Sequence, residues 1–159
     1  KEKIPSARFV LVGSPDKDNN SSLQPEEINK WVEDGLVEYW GHKKDIYQII
    51  KQAKLVVLPS YREGMPKILL EAAATGRAVI TTDVPGCRDA IIPEVTGLLV
   101  NPKDPLDMAN KIELLFLDET RCKSMGIAGR KFAEENFSLD SVIQAHLDIY
   151  SSFFNERLS

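Results

Sequence analysis

Leu55-Val56-Val57-Leu58-Pro59-Ser60-Tyr61-Arg62-Glu63-Gly64-Met65-Pro66-Lys67-Ile68-Leu69-Leu70-Glu71-Ala72 is the stretch whose reading decides the fold. Its first four residues are all apolar, which suits a short strand covered on both faces. Pro59 stops the run. Pro66 then opens a helix, since its fixed φ and missing N–H suit a first turn. That helix reaches about Thr75, with Gly76 at its C-cap. Ala78-Val79-Ile80 follows as another apolar strand. A strand, a helix and a strand in succession define an α/β chain with a parallel sheet.

The same alternation extends in both directions. Upstream, Arg8-Phe9-Val10-Leu11-Val12-Gly13 reads as a strand buried on both faces, followed by a polar loop from Ser14 to Leu23. Pro25-Glu26-Glu27 opens a helix with an apolar face of Ile28, Trp31 and Val32, ended by Gly35. Val37-Glu38-Tyr39-Trp40 is a short strand closed by Gly41. Asp45 is placed to cap a helix carrying Ile46, Ile49, Ile50 and Ala53. Downstream, Gly97-Leu98-Leu99-Val100 is a fifth strand. Helices then run from Asp104-Pro105 to about Leu117 and from Glu119 to about Asn136. Ser138 caps a third, with Leu139, Val142, Ile143, His146, Ile149, Tyr150 and Phe153 on one stripe. The expected architecture is a Rossmann-like, doubly wound parallel sheet with helices on both faces and a helical C-terminal tail. Residues 1–137 form the expected domain and 138–159 the terminal helix. Ligands of such sheets bind beyond the carboxyl ends of the strands, here the loops after Val12, Trp40, Leu58 and Ile80.

Composition narrows the function. The 159 residues are 43% hydrophobic and 28% charged, which is ordinary for one globular domain. A net charge of -4 leaves no basic footprint for nucleic acid. Any anionic ligand must be held by a local device. No apolar run approaches the roughly 20 residues of a membrane span. The opening Lys1-Glu2-Lys3-Ile4-Pro5 has no signal-peptide pattern. Cys87 and Cys122 have neither disulfide-framework nor metal spacing. Two reduced thiols in a cytoplasmic protein are the expectation.

The loop after Leu58 carries the chemistry. Gly64 permits close approach of a backbone to a ligand. The amides of Met65 and of Lys67 to Leu69 are expected to face outward as four unpaired donors. Together with the positive end of the helix dipole they suit a phosphate. Glu63 precedes the helix and Glu71 lies within it. Ionised carboxylates only accept hydrogen bonds, and vicinal hydroxyls are natural partners. Donors for a diphosphate between two acceptors for hydroxyls match a nucleoside diphosphate sugar.

Tyr61 to Ala72, with Glu63 and Glu71 flanking seven residues, resembles the paired-glutamate signature of the retaining glycosyltransferases of family 4. The context is similar as well, in Gly41-His42-Lys43-Lys44-Asp45-Ile46, Leu58-Pro59-Ser60, Gly76-Arg77-Ala78-Val79-Ile80, Asp83-Val84-Pro85-Gly86 and Gly97-Leu98-Leu99-Val100. The likeness runs from about Phe9 to Phe137. It implies the C-terminal, donor-binding domain of a two-domain enzyme of GT-B type that builds bacterial surface polysaccharide. Glu63 would be the catalytic residue, bonded to donor-sugar hydroxyls, and Glu71 would hold the ribose. Gly64, Met65, Pro66 and Lys67 would face the sugar and diphosphate, with Gly13 and Ser14 near the phosphates. The loop from His42 to Ile46 would touch the base. The resemblance implies no metal and no other cofactor. The partners it implies are a nucleotide diphosphate sugar, with UDP the commonest carrier, and a glycan or lipid-linked acceptor held by an N-terminal domain. It also implies one further strand and helix ahead of Lys1, bearing an Arg and a Lys for the diphosphate. On that reading the chain alone transfers little or no sugar. The whole enzyme would be cytoplasmic, with peripheral association at the inner face of the membrane.

Other motifs have plainer explanations. Asp16-Lys17-Asp18 has the form of a metal-binding Asp-x-Asp, and Asp16, Asp18, Asn20 and Glu27 fall at calcium-loop positions. Ser21 stands where that loop needs Gly, Pro25 interrupts it and a strand precedes it, so a solvated loop is expected. His146 on an apolar stripe reads as a packed histidine. Cys87 has no visible base beside it. Two competing functions are a non-catalytic, doubly wound nucleotide-binding or interaction module, and glycoside hydrolysis by the two glutamates. A receiver-type module of the first kind would want an acidic cluster after the first strand, where Val12-Gly13-Ser14-Pro15 offers none. The second would place the carboxyls across a scissile bond.

Overall fold

Alternating apolar strands and amphipathic helices produce the expected α/β chain, with parallel strands flanked by helices and a helical C-terminal stretch. The computed structural model describes residues 1, 3–15 and 22–156, with side chains as far as Phe153. The Asp16 to Ser21 segment and the side chain of Phe154 lie outside the described residues. The chain divides into two compact units, Lys1–Ile46 and Tyr47–Ser159.

In the first unit, β1 (Val10–Val12) and β2 (Glu38–Gly41) pair in parallel around α1 (Pro25–Glu33). Pro25 occupies the first helical position, and the Gln24 amide donates to Glu27 Oε2 at 3.0 Å. Gly35 ends α1 at φ +65. Its N–H donates to Val32 at 3.0 Å, and that of Leu36 donates to Trp31 at 2.9 Å. This is a Schellman stop, which only a residue tolerant of left-handed φ closes cheaply. Ile4, Ala7 and Ile28 supply the buried apolar side chains. β1 is shorter than expected and is not covered on both faces: Val10 and Leu11 are half-buried and Val12 is exposed. Among the described residues it ladders with β2 alone, so the five strands form two ladders and not one continuous sheet.

The second unit carries α2 (Ile46–Ile50, which begins at the boundary), β3 (Leu55–Leu58), α3 (Lys67–Ala74), β4 (Ala78–Thr82) and β5 (Gly97–Val100). Then come α4 (Pro105–Leu117), α5 (Glu119–Asn136) and α6 (Leu139–Glu156). β4 is central, parallel to β3 and β5, and every residue in it is buried. Ala78, Ile80, Leu98, Val100, Leu115, Cys122 and Met125 form one cluster joining β4 and β5 to α4 and α5. Each large side chain buried there is worth about 1.5–3 kcal/mol.

The helix signals hold in detail. Asp104 accepts from the Asp107 amide at 2.9 Å and Asp118 from that of Arg121 at 2.9 Å. Ser138 Oγ accepts from the Ser141 amide at 3.2 Å. Three expectations change. α2 stops at Ile50, and Ala53 lies in the turn after it, its N–H bonded to Ile50 at 3.0 Å. A short 3-10 turn, Arg88–Ala90, follows β4 unannounced. His146 is exposed and not packed, with Nδ1 2.8 Å from the Val142 carbonyl one turn back. The stripe it shares is open too, with Tyr150 at 60% and Phe153 at 62% exposure. None of the described helices is long and apolar enough to cross a membrane.

Candidate functional site

The site in the second unit is built where β3 leaves the sheet. Pro59 to Pro66 must climb from a strand end to a helix start, and β4 supplies the anchorage. Thr81 and Thr82 are buried at the end of β4, and both hydroxyls point back across the sheet. Thr81 Oγ1 donates to the Leu58 carbonyl at 2.9 Å, and Thr82 Oγ1 donates to that of Ser60. A buried hydroxyl without a partner costs about 1–3 kcal/mol, so these two bonds fix the loop's exit path. Ser60 Oγ in turn donates to Glu63 Oε1 at 2.6 Å. Glu63 is half-buried, with one carboxylate oxygen held and the other without a partner among the described residues.

Pro66 is the N-cap of α3, in extended conformation, and the helix proper starts at Lys67. The Leu69 amide is already spent on the Pro66 carbonyl at 3.0 Å, so it is not one of the outward donors. The early 3-10 bond tightens the first turn and leaves the amides of Met65, Lys67 and Ile68. Three donors with the dipole remain an anion-binding end. Gly64 needs no left-handed φ, and a Cβ there would meet no atom within 4 Å. Its own fold therefore does not demand glycine. Glu71 is an exposed residue of α3; its carbonyl accepts from the Thr75 amide at 3.0 Å and the Thr75 hydroxyl at 2.8 Å. The helix ends as expected: Gly76, at φ +69, donates to Ala73 at 2.8 Å and Arg77 donates to Ala72 at 2.9 Å.

Three contributors went unread in the sequence: Ser60, Thr82 and Gly86. Gly86 sits at φ +80, and a Cβ there would land on the Gly64 carbonyl oxygen and 2.6 Å from that of Glu63. The Asp83–Gly86 turn thus backs the loop bearing Glu63. The Pro85-Gly86 dipeptide was the available signal, since it marks a turn with a left-handed residue. Asp83 pairs with Arg88 at 2.5 Å, and that bond raises the Arg88 pKa above its ordinary value. Lys103 Nζ lies 6.0 Å from the Tyr61 ring centroid.

The first unit holds the other expected residues. Gly13 follows β1 at φ +134; its N–H donates to Gly41 at 3.0 Å, and its carbonyl accepts from the Tyr39 hydroxyl at 2.9 Å. That carbonyl is consumed by the fold, whereas Ser14 beside it is exposed. His42 is exposed just after Gly41, and Ile46 is half-buried at the start of α2.

A parallel sheet with an amide-bearing helix start between two acids at its carboxyl rim places the chain in the α/β class whose ligands bind at that rim. The family model for glycosyl transferases group 1 matches residues 1–118, and the chain belongs to that family. It is 41% identical over 113 residues to N,N'-diacetylbacillosaminyl-diphospho-undecaprenol alpha-1,3-N-acetylgalactosaminyltransferase of Campylobacter jejuni, covering 71% of this chain and 29% of that one. Among solved structures it is similar to sucrose-phosphate synthase of Thermosynechococcus elongatus, with a TM-score of 0.83 and 29% identity over 97% of this chain and 40% of that one. It shares its fold with Anabaena HepE, solved in complex with UDP, at a TM-score of 0.84 and 22% identity over 93% of this chain and 42% of that one. The chain thus spans less than half the length of each of these relatives.

Proposed function

We propose that this chain is the donor-binding part of a retaining glycosyltransferase of family 4, taking its sugar from a nucleotide diphosphate, with UDP as the carrier. The observation that carries the reading is the start of α3. Three amides without partners among the described residues lie between Glu63, whose carboxylate Ser60 holds, and Glu71 in α3. Gly64 adds to it, because its missing side chain serves no purpose within the chain's own packing. Glu63 accepts from donor-sugar hydroxyls and is the catalytic residue. The amides of Met65, Lys67 and Ile68, ordered by Pro66, take the diphosphate, and Glu71 takes the ribose hydroxyls. Gly13 and Ser14 serve the phosphates, and the loop from His42 to Ile46 serves the base.

Catalysis on this reading rests on positioning and on stabilising charge on the departing diphosphate by fixed dipoles. No metal is required. The leaving phosphate itself takes the proton of the acceptor hydroxyl. The Campylobacter relative's name includes a diphospho-undecaprenol carrier, which favours a lipid-linked or glycan acceptor in bacterial surface-polysaccharide assembly. That acceptor would be held by an N-terminal domain, with α6 packing toward it. The whole enzyme would work in the cytoplasm, peripheral to the inner face of the membrane.

Titration of the chain with UDP, GDP and ADP, read by calorimetry and thermal melting, tests the reading. A ligand at about 100 times its Kd stabilises the fold by about 2.7 kcal/mol. UDP is expected to raise the melting temperature most, and Glu71→Gln to weaken UDP by about tenfold. A chain indifferent to all three nucleotides would overturn the proposal.

A further inference from the structure

We infer that Ser60 is a positioning residue for the donor sugar, holding the Glu63 carboxylate in the orientation that receives the sugar hydroxyls. The inference deepens the donor-binding reading and rests on it. It starts from a relay of contacts. Thr82, buried at the tip of β4, donates its hydroxyl to the Ser60 carbonyl and so fixes the Ser60 backbone to the central strand. Ser60 then donates its own hydroxyl to Glu63 Oε1 at 2.6 Å. From the far side, Gly86 lies against the Glu63 and Gly64 carbonyls closely enough that no side chain fits. The loop is therefore clamped from β4 and from the turn after β4.

The chemistry gives Ser60 a defined task. A glutamate on a loop has three side-chain torsions and loses rotamer freedom when it is ordered. If that cost fell at the moment of binding, it would come out of the affinity for the sugar. A hydroxyl already bonded to one oxygen meets it in advance. The second oxygen is left to accept from a ligand hydroxyl. Oxygens of an ionised carboxylate only accept, so the second one suits a sugar hydroxyl as donor.

The inference makes the effect of Ser60 selective. UDP lacks the sugar, so it should not sense the orientation of Glu63. UDP-glucose and UDP-N-acetylgalactosamine should. The test titrates UDP and both nucleotide sugars into the wild-type chain and the variants Ser60→Ala, Ser60→Thr and Glu63→Gln, with melting temperatures recorded for each. The order parameter of the Glu63 γ-methylene, from carbon relaxation without ligand, serves as a second readout. Ser60→Ala is expected to weaken a nucleotide sugar by about tenfold, to leave UDP within twofold, and to lower the Glu63 order parameter. Ser60→Thr keeps a hydroxyl and is expected to restore the nucleotide-sugar affinities and the Glu63 order parameter. If Glu63→Gln weakens the sugars selectively while Ser60→Ala changes neither affinity nor order parameter, the positioning role is wrong and the donor-site reading stands. If Ser60→Ala weakens UDP and the sugars equally, the residue acts only on the general fold and the inference fails. If Glu63→Gln is silent toward the sugars, the donor-site reading fails and takes this inference with it.

Discussion

Gly126, in the middle of α5, packs against the carbonyl oxygen of Gly76, the residue that terminates α3. A Cβ at position 126 would fall on that oxygen and 2.9 Å from its carbonyl carbon. One turn on, a Cβ at Gly129 would stand 3.7 Å from Ala73 Cα and 3.8 Å from its Cβ, which is ordinary contact. Small residues thus let α5 lie directly on α3, and so on the helix whose first turn carries the outward amides.

The two glycines should therefore respond with opposite signs. Alanine raises helix propensity by about 1 kcal/mol at either position. At Gly129 nothing opposes that gain, so Gly129→Ala is expected to stabilise the chain slightly. At Gly126 the obstacle is backbone, which cannot rotate away, and overpacking costs about 1–3 kcal/mol. Gly126→Ala is expected to lower the urea midpoint despite its better propensity. Equal shifts in the two denaturation curves would show that the close approach does not matter.

Gly86 tests the loop clamp from its other side. Its φ of +80 and its contact with the Glu63 and Gly64 carbonyls both exclude a side chain. The expected result for Gly86→Ala is a loss of about 1–3 kcal/mol from backbone strain, with the Glu63 loop pushed off its seat. Calorimetry should then show weaker nucleotide-sugar binding. A variant with wild-type melting and binding would mean the turn tolerates both the strain and the bulk.

What could be read in advance follows from how local each signal is. Pro25, Pro66, Gly35, Gly76, Asp104 and Ser138 act through their own or the adjacent turn, so helix ends were legible within a residue or two. The length of β1 was not, because Phe9 and Gly13 still bond to Glu38 and Gly41 beyond its ends, while the regular ladder breaks at a register shift between Leu11 and Val12 that only the pairing with β2 reveals. His146 illustrates the same limit: an apolar stripe predicts a contact, but not whether the described chain supplies one. In the site, Glu63, Gly64 and Glu71 were legible from their pattern around a helix start. Ser60 and Thr82 were not, since Thr82 reaches Ser60 only through the β3–β4 register; Pro85-Gly86 marked a turn, but not that Gly86 would lie against the Glu63 loop. Leu69 shows the fine scale, where a single 3-10 bond removed one of four expected donors.

The two thiols give a check on the second unit's core. Cys87 is fully buried and Cys122 is 4% exposed, with Sγ 3.6 Å from the Lys54 carbonyl. Burial pushes the Cys122 thiol pKa up, which disfavours the reactive thiolate. Neither thiol is expected to react with a disulfide reagent at pH 8 in the native chain, and both should react at the rate of unfolding. Rapid native labelling of either would show that this core opens locally.

Arg8 and Glu38 provide the pH test of the first unit. Arg8 Nε reaches Glu38 Oε1 at 2.7 Å, and its NH2 group reaches Oε2 at 2.8 Å, a two-pronged pair between the start of the chain and β2. That hydrogen bond lowers the Glu38 pKa from 4.5 to about 2. A carboxylate whose pKa is depressed by folding adds stability above its unfolded value, and the contribution disappears as pH falls through the folded value. The window therefore runs from about pH 4.5 down to about pH 2. Both side chains are well exposed, so solvent screens the pair and the effect is small. Wild type and Glu38→Gln are expected to differ in melting temperature at pH 6, and the gap should narrow on acidification through that window. Raising salt to 1 M at pH 6 should shrink it as well, because screening weakens an exposed pair. A gap that persists unchanged at pH 2 would show that the ion pair with Arg8 is not its source, since the hydrogen bond from Trp40 Nε1 to Glu38 Oε2, 3.2 Å long, is one that glutamine can keep and so adds nothing to the difference.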